Sequence, residues 1–272
     1  MGSGASHPYP DEAAALADGK TQDDIDAYKA GLKKPKFVYL PVIGRGEQIH
    51  LLCAEHGVEY DFVLPAGFGG EYVWAESATH GTLPVWETME EDGLNISDSA
   101  AIIDYILEKT PDGPFTPKDM RSRILARDTW MFCQDYYNHF LSPMHDSIMG
   151  HAEPHWRQGR NTDPRASKDH EKNAEYLSEL AAYHTQRMGR LEKKLADLGT
   201  EYCTGVQPTY ADLFIYTCVQ TVLKCKGFGP FRESFGDKSP LDGYPTVLAL
   251  ANKIGERPKI AEKAGKFEQA PV

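Results

Sequence analysis

A chain of 272 residues with a formal net charge of -11 and a pI near 5.4 is long enough for one large or two modest domains, and acidic enough to repel a phosphate backbone. No basic run longer than Lys33-Lys34 interrupts that acidity, which argues against nucleic acid as a partner. The five cysteines, at 53, 133, 203, 218 and 225, form no CxxC pair and have no histidine at zinc-ligand spacing, a pattern of buried thiols in a reducing compartment.

In chain order, the opening "MGSGAS" fits the acceptor pattern for myristoylation of Gly2, and equally the Gly and Ser residues that expression tags leave behind. A single acyl chain would give only weak membrane association, and the nearby acidic residues oppose Lys33, Lys34 and Lys36. Residues 1–34 are Pro-, Ala- and Asp-rich with one weak helical pattern, "TQDDIDAYKAGL", and are expected to extend outside the core, disordered or partly helical. The opening residues do not read as a charged-then-apolar signal sequence, and a soluble, cytoplasmic protein is expected.

"KFVYLPV" is rich in aromatic and branched residues and predicts a strand. "GEQIHLLCAEHG" comes next, with helical spacing at Ile49, Leu52 and Cys53 and a terminating Gly57. "EYDFVL" predicts a second strand, and "TLPVWE" and "LNI", joined through an Asp-Gly turn, predict a hairpin. "SDSAAIIDYILEKT" closes this unit with a helix, and Pro111, Gly113, Pro114 and Pro117 punctuate the linker after it. These signals bound a small mixed-sheet domain over 35–112.

From 118 to 266 the signals are helical. "DMRSRILARDTWMFCQDYYNHFLSPM" predicts one long helix, and "EKNAEYLSELAAYHTQRMGRLEKKLADLG" a second, with Leu177, Leu180, His184, Met188, Leu191 and Leu195 three or four apart. Between them lies a polar insert near 151–170. Its histidines and those beside it, at 145, 151, 155 and 170, have no acidic partner at i+4, so no metal site is expected. "TYADLFIYTCVQTVLK" is apolar nearly all round, the pattern of a central buried helix, although Asp212, Gln220 and Lys224 keep this region from spanning a bilayer. Thr209 and Asp212 predict a reciprocal capping box at its start.

The order "VYLPVIGRGEQIHLLCAEHGVEYDFVL", "LP" before the third strand, "DSAAI" opening a helix and "GVQPTYADL" in the helical half resembles the cytosolic glutathione transferases, most closely the sigma class, from about Lys36 to Lys259. The resemblance implies a thioredoxin-like domain that binds glutathione, an all-helical domain that supplies a pocket for a hydrophobic electrophile, and a homodimer. It places Tyr39 on the catalytic tyrosine, a neutral donor to the glutathione thiolate, and Gly44, Arg45, Gly46 and Glu47 on the turn that opens the first helix. Arg45 is implied to bridge domains or subunits. Pro84 falls on the family's cis-proline, where Leu83 would pair its backbone with the cysteinyl part of glutathione. Ser99 starts the helix whose free amides would receive the γ-glutamyl carboxylate. Trp74 falls on the tryptophan near the glycyl end, without the lysine expected one turn later.

Asp98 departs from the sigma pattern, which carries a glutamine there. A carboxylate could accept the ligand's ammonium group, and would also repel its carboxylate. Trp130, Cys133, Tyr136, Tyr137 and Phe140 offer the electrophile pocket aromatic surface, mostly as core, and Asp128 or Asp135 could reach a partner subunit. The expected activity is thiolate attack on a small-molecule electrophile, or a glutathione-dependent isomerisation. The alternative is a non-catalytic relative serving in structure or assembly, which Asp98, the missing lysine and the inserted segments favour. A redox role for Cys53 is disfavoured, because it sits mid-helix on an apolar face.

Overall fold

The computed structural model describes residues 19, 21, 34–66, 70, 82–88, 93–141, 174–224 and 229–266. Gly2, Trp74, Cys225 and the insert near 151–170 lie outside the described residues, as does nearly all of the N-terminal extension.

The strand and helix signals of the first half are realised as β1 (Lys36–Val38), α1 (Arg45–His56), β2 (Asp61–Val63), β3 (Val85–Glu87), β4 (Asn95–Ile96) and α2 (Ser99–Lys109). The sheet order is β2-β1-β3-β4, with β1 and β2 parallel and the other pairs antiparallel. A parallel pair needs a crossover, which α1 provides, while the β3–β4 pair closes as a hairpin. Alternation along the strands then decides the faces. Phe37 and Trp86 pack into the main core with Ile49, Leu52, Ile102 and Ile106, and Val38 and Val85 form a smaller cluster with Val63 and Leu83. Gly57 ends α1 in the left-handed conformation, φ 71°, which glycine adopts without a Cβ penalty.

Past the linker every described element is helical. These are α3 (Met120–Tyr136), α4 (Ala174–Leu198), α5 (Tyr210–Lys224), α6 (Gly229–Glu233), α7 (Pro245–Gly255) and α8 (Pro258–Lys263). Asp119 caps α3 in a reciprocal box with Ser122. The far end of α3 runs into a π-helical turn, Tyr137–Leu141, a local widening that recurs at functional sites. The α5 helix is buried on nearly all sides and packs against α1, α3 and α7, as its uniform apolarity requires.

The predicted box at Thr209 is only half formed. Thr209 N–H donates to Asp212 Oδ2 at 2.7 Å, but the Thr209 hydroxyl donates to the same carboxylate, and the Asp212 amide goes to the Thr209 carbonyl. The physical reason is that the carboxylate is fully buried and gathers every donor in reach, including the Cys203 N–H at 2.8 Å. Asp212 therefore pins the preceding loop to α5 as well as capping the helix.

Helix α1 is the wedge between the two halves. Gln48 Oε1 accepts from Trp130 Nε1–H at 2.8 Å, Glu47 Oε1 accepts from the Gly265 amide at 2.8 Å, and Glu55 is held by both arms of Arg257 at 2.9 and 2.7 Å. A fork-to-carboxylate pair of this kind fixes orientation as well as proximity. Since the Glu55 side chain is nearly buried, removing Arg257 would strand its charge. Cys53, Cys133, Cys203 and Cys218 are buried free thiols, and burial pushes the Cys53 thiol well up, away from thiolate chemistry.

Candidate active site

The strand register gathers the candidate residues at one end of the two central strands, β1 and β3. Val38 faces Val85 across β1 and β3, and Trp86 faces Ile96 across β3 and β4. Continuing each ladder past its last pair brings Tyr39 opposite Pro84, and Asp98 opposite Pro84 from the other side. The Leu83–Pro84 peptide bond is cis, and Pro84 is buried. Trp74 lies outside the described residues, so its place relative to this row is not described.

Tyr39 comes directly after the last residue of β1, and its amide donates to Val63 O at 3.3 Å. Because residues i and i+2 share a face, its ring lies parallel to that of Phe37, 6.1 Å away. The ring presses on the turn that opens α1: a Cβ at Gly46 would lie 2.2 Å from Tyr39 Cδ1. A Cβ at Gly44 would lie 2.6 Å from the hydroxyl oxygens of both Tyr39 and Tyr137. These contacts explain both glycines of the Gly-Arg-Gly turn, since no larger residue leaves room for the phenol.

Tyr39 is 5% exposed, and its hydroxyl lies among the backbone amides of Gly46 and Arg45 at the start of α1 and the Tyr137 hydroxyl. Burial pushes the phenol above its ordinary range, and the Gly46 amide, the Arg45 charge and Tyr137 oppose that shift. Tyr39 therefore stays a neutral phenol at neutral pH and keeps a proton to donate. Arg45 lies over the Tyr137 ring, 5.1 Å from its centroid, and donates to Asn138. Arg45 thus joins the sheet-bearing half to the helical half within one chain.

Ser99 is the first residue of α2 and is buried. Asp98 is its N-cap, exposed, with Oδ1 accepting from the Ala100 amide at 2.8 Å. One donor of this helix end is thus already taken by a carboxylate, so an incoming carboxylate would meet Ser99 and the remaining amides beside a like charge.

Most of the residues offered for the pocket by α3 and the turn after it are core. Trp130, Cys133, Tyr136 and Phe140 are buried, and Tyr136 O–H bonds His184 Nδ1 at 2.8 Å. Tyr137 alone among them reaches the Tyr39 hydroxyl, a role the sequence did not reveal. The signal available was the adjacent pair Tyr136-Tyr137: two neighbours on a helix point about 100° apart, so the two rings meet different surroundings. Asp128 pairs with Lys194 and Asp135 with Arg187, both at 2.6 Å and within this chain. A separate groove of about 580 Å³ opens at the other end of α2, lined by Asp104, Asp112, Lys118, Arg127 and Tyr210 among others. Its charges offset each other, and it holds none of the candidate residues. Among the described residues there is no cluster able to hold a metal ion, and no helix is long and apolar enough to cross a membrane.

Residues 161–262 match the model of the glutathione S-transferase C-terminal domain. Glutathione S-transferase 1 of Dianthus caryophyllus is 24% identical over 181 residues, which cover 66% of this chain and 72% of that protein. Among solved structures, Ure2p5 from Phanerochaete chrysosporium, cocrystallised with 1-(S-glutathionyl)-2,4-dinitrobenzene, has a TM-score of 0.66 at 17% identity and covers 88% of this chain and 96% of its own. The glutathione S-transferase of Methylobacterium radiotolerans in complex with glutathione sulfonate has a TM-score of 0.60 at 16% identity, covering 85% and 94%. The fold is that of the glutathione transferases, a thioredoxin-like domain followed by a helical one.

Proposed function

We propose that this protein is a tyrosine-type glutathione transferase of sigma-like arrangement, in which the Tyr39 hydroxyl donates to the thiolate of bound glutathione. The observation that carries the reading is the Tyr39 phenol itself, kept neutral by burial and set against the Gly46 and Arg45 amides just past the end of β1. A donor preorganised in a desolvated cleft stabilises the thiolate without reorganising during the reaction. The thiolate then attacks an electrophilic carbon, and the leaving group departs with the bonding pair. The dinitrobenzene conjugate bound to Ure2p5 makes an activated aryl halide the first electrophile to try, and a glutathione-dependent isomerisation the second activity to assay.

Backbone pairing at Leu83 and anion docking at Ser99 and its helix N-terminus complete the glutathione site in this reading, with Trp74 near the glycyl end. Calorimetric titration with glutathione, followed by turnover of Tyr39→Phe, tests it. Binding in the wild type with a loss of more than tenfold in kcat/KM in the variant is expected. An unchanged kcat/KM in Tyr39→Phe removes the residue from the mechanism.

A homodimer in the cytoplasm goes with this reading. Met120, Ile124 and Met131 lie along one face of α3 and are 71%, 57% and 51% exposed, a stripe that a second copy would cover. Light scattering on the wild type and on Ile124→Glu checks the dimer: the variant is expected to be monomeric.

The second reading is a non-catalytic relative. Asp98 favours it, because a carboxylate already caps the helix end at which a γ-glutamyl carboxylate would dock. Absence of calorimetric binding at millimolar glutathione would select this reading.

A further inference from the structure

We propose that Tyr137 is a positioning residue for Tyr39: its hydroxyl, delivered from the helical half by the π-helical turn, donates to the Tyr39 oxygen so that the Tyr39 proton is directed at the ligand thiolate. The proposal rests on the tyrosine-type reading above and adds a second hydroxyl to it.

Three independent contacts put Tyr137 in this place. Both hydroxyl oxygens converge on Gly44, each 2.6 Å from the point a Cβ would occupy there, and the two are hydrogen-bonded. The Tyr137 ring is clamped, with Arg45 at 5.1 Å on its face and Phe214 of α5 at 6.1 Å. Its neighbour Asn138 accepts from the same Arg45, so the first turn of the π-helical segment is tied to the α1 N-terminus at two points.

The direction of donation is set by what each partner can do. A phenol oxygen donates one proton and accepts at two positions, and the adjacent Arg45 and Gly46 amides, which only donate, approach from one side and leave the second position to Tyr137. A thiolate only accepts, so once it is bound Tyr39 must donate to it, and Tyr137 must then donate to Tyr39. In a chain of hydrogen bonds each donation polarises the next, and the second hydroxyl makes the first a stronger donor. The relay also crosses from one half of the molecule to the other. Its geometry therefore depends on how α1 docks against α3 and α5.

The test is a two-by-two set of wild type, Tyr137→Phe, Tyr39→Phe and the double variant, each read by the ultraviolet thiolate absorbance of bound glutathione as a function of pH. Phenylalanine keeps the ring between Arg45 and Phe214, so the fold is retained. Tyr137→Phe is expected to raise the pKa of the bound thiol by about one unit, a tenfold loss of thiolate at fixed pH below that pKa. In the Tyr39→Phe background the same change is expected to have no effect, because Tyr137 acts through Tyr39. No shift, a downward shift, or an equal shift in both backgrounds overturns the proposal.

NMR of the ligand-free protein labelled in its tyrosine rings gives a second readout that needs no glutathione. Loss of the Tyr137 donor is expected to move the Tyr39 ionisation to higher pH, and an unmoved Tyr39 titration also overturns the proposal. If the wild type binds no glutathione while Tyr39 still responds to Tyr137→Phe, the transferase reading fails and the hydroxyl pairing stands.

Discussion

Two helix N-termini meet the sheet at the same end of its central strands, and they are finished in opposite ways. At α1 the first amides go to the hydroxyl of Tyr39, a neutral group contributed by β1 and bonded in turn to the helical half through Tyr137. At α2 the Ala100 amide goes to Asp98, an anionic group two residues away in the chain. The first cap joins the end of β1 and the start of α1 to a distant segment of the helical half and leaves a neutral donor there. The second is local, folds by itself and leaves a negative charge. Both solve the problem of unsatisfied amides at a helix start, but only the first couples that solution to the arrangement of the two halves, and that is where a reacting group can be positioned.

The largest break in this comparison is Gly46→Ala. With a Cβ 2.2 Å from a ring carbon of Tyr39, the ring must move or the turn must open, and a loss of about 3 kcal/mol is expected in denaturant unfolding. The alanine equivalent at the second terminus, Asp98→Ala, removes only a local cap and is expected to cost about 1 kcal/mol. Equal losses would show that the α1 terminus is no more tightly built than the α2 terminus.

At their other ends the same two helices are tied to each other by His56, which bonds Thr110 Oγ1 through Nδ1 at 2.6 Å and accepts the Phe115 amide on Nε2 at 3.2 Å. Thr110 Oγ1 itself donates to Ile106 O, so the imidazole must be neutral with its proton on Nδ1. Burial holds His56 down at about 4, and His50 and His184 likewise at about 4. Since the unfolded chain binds these protons near pH 6.5, the stability they contribute is complete above that value. It is lost as pH falls from about 6.5 toward 4, by at most about 1.4 kcal/mol per pH unit for each histidine. Unfolding midpoints measured across this window are expected to drop on acidification. A flat profile would mean that the histidines are solvated in the folded state.

The finest distinction is Asp98→Asn, which keeps a good cap and changes stability by only a few tenths of a kcal/mol. Removing a like charge beside the incoming carboxylate is worth about 1 kcal/mol in a solvated setting, so the Kd for glutathione is expected to fall about fivefold. A rise in Kd would instead show that the Asp98 carboxylate holds the ligand's ammonium group.

Much of this was legible in the chain. "KFV", "DFV", "VWE" and "NI" alternate or cluster as half-buried strands do, the helical spacing over 45–56 and 99–109 is plain, and "GRG" marks a turn where a bulky neighbour approaches. The buried cysteines and the all-round apolar α5 were also written in the pattern of polarity. Less was legible at the site. The Thr209–Asp212 spacing predicted a reciprocal cap, and burial turned it into a carboxylate that collects three donors. Arg45 was expected to bridge domains or subunits, and the contact it makes is with Tyr137 and Asn138 of its own chain.

Local spacing determined the elements of this protein, because helix and strand periods, glycine turns and caps depend on residues a few positions apart. It also placed Tyr39 at a strand end and Ser99 at a helix start. Which hydroxyl meets Tyr39 was decided only by tertiary structure. Tyr137 lies 98 positions further along the chain, and its approach depends on how α1 seats against the helical half, through Gln48 with Trp130 of α3 and Glu55 with Arg257 beside α8. Long-range contacts of this kind leave no period in a sequence, since each is set by the shape of the packed whole.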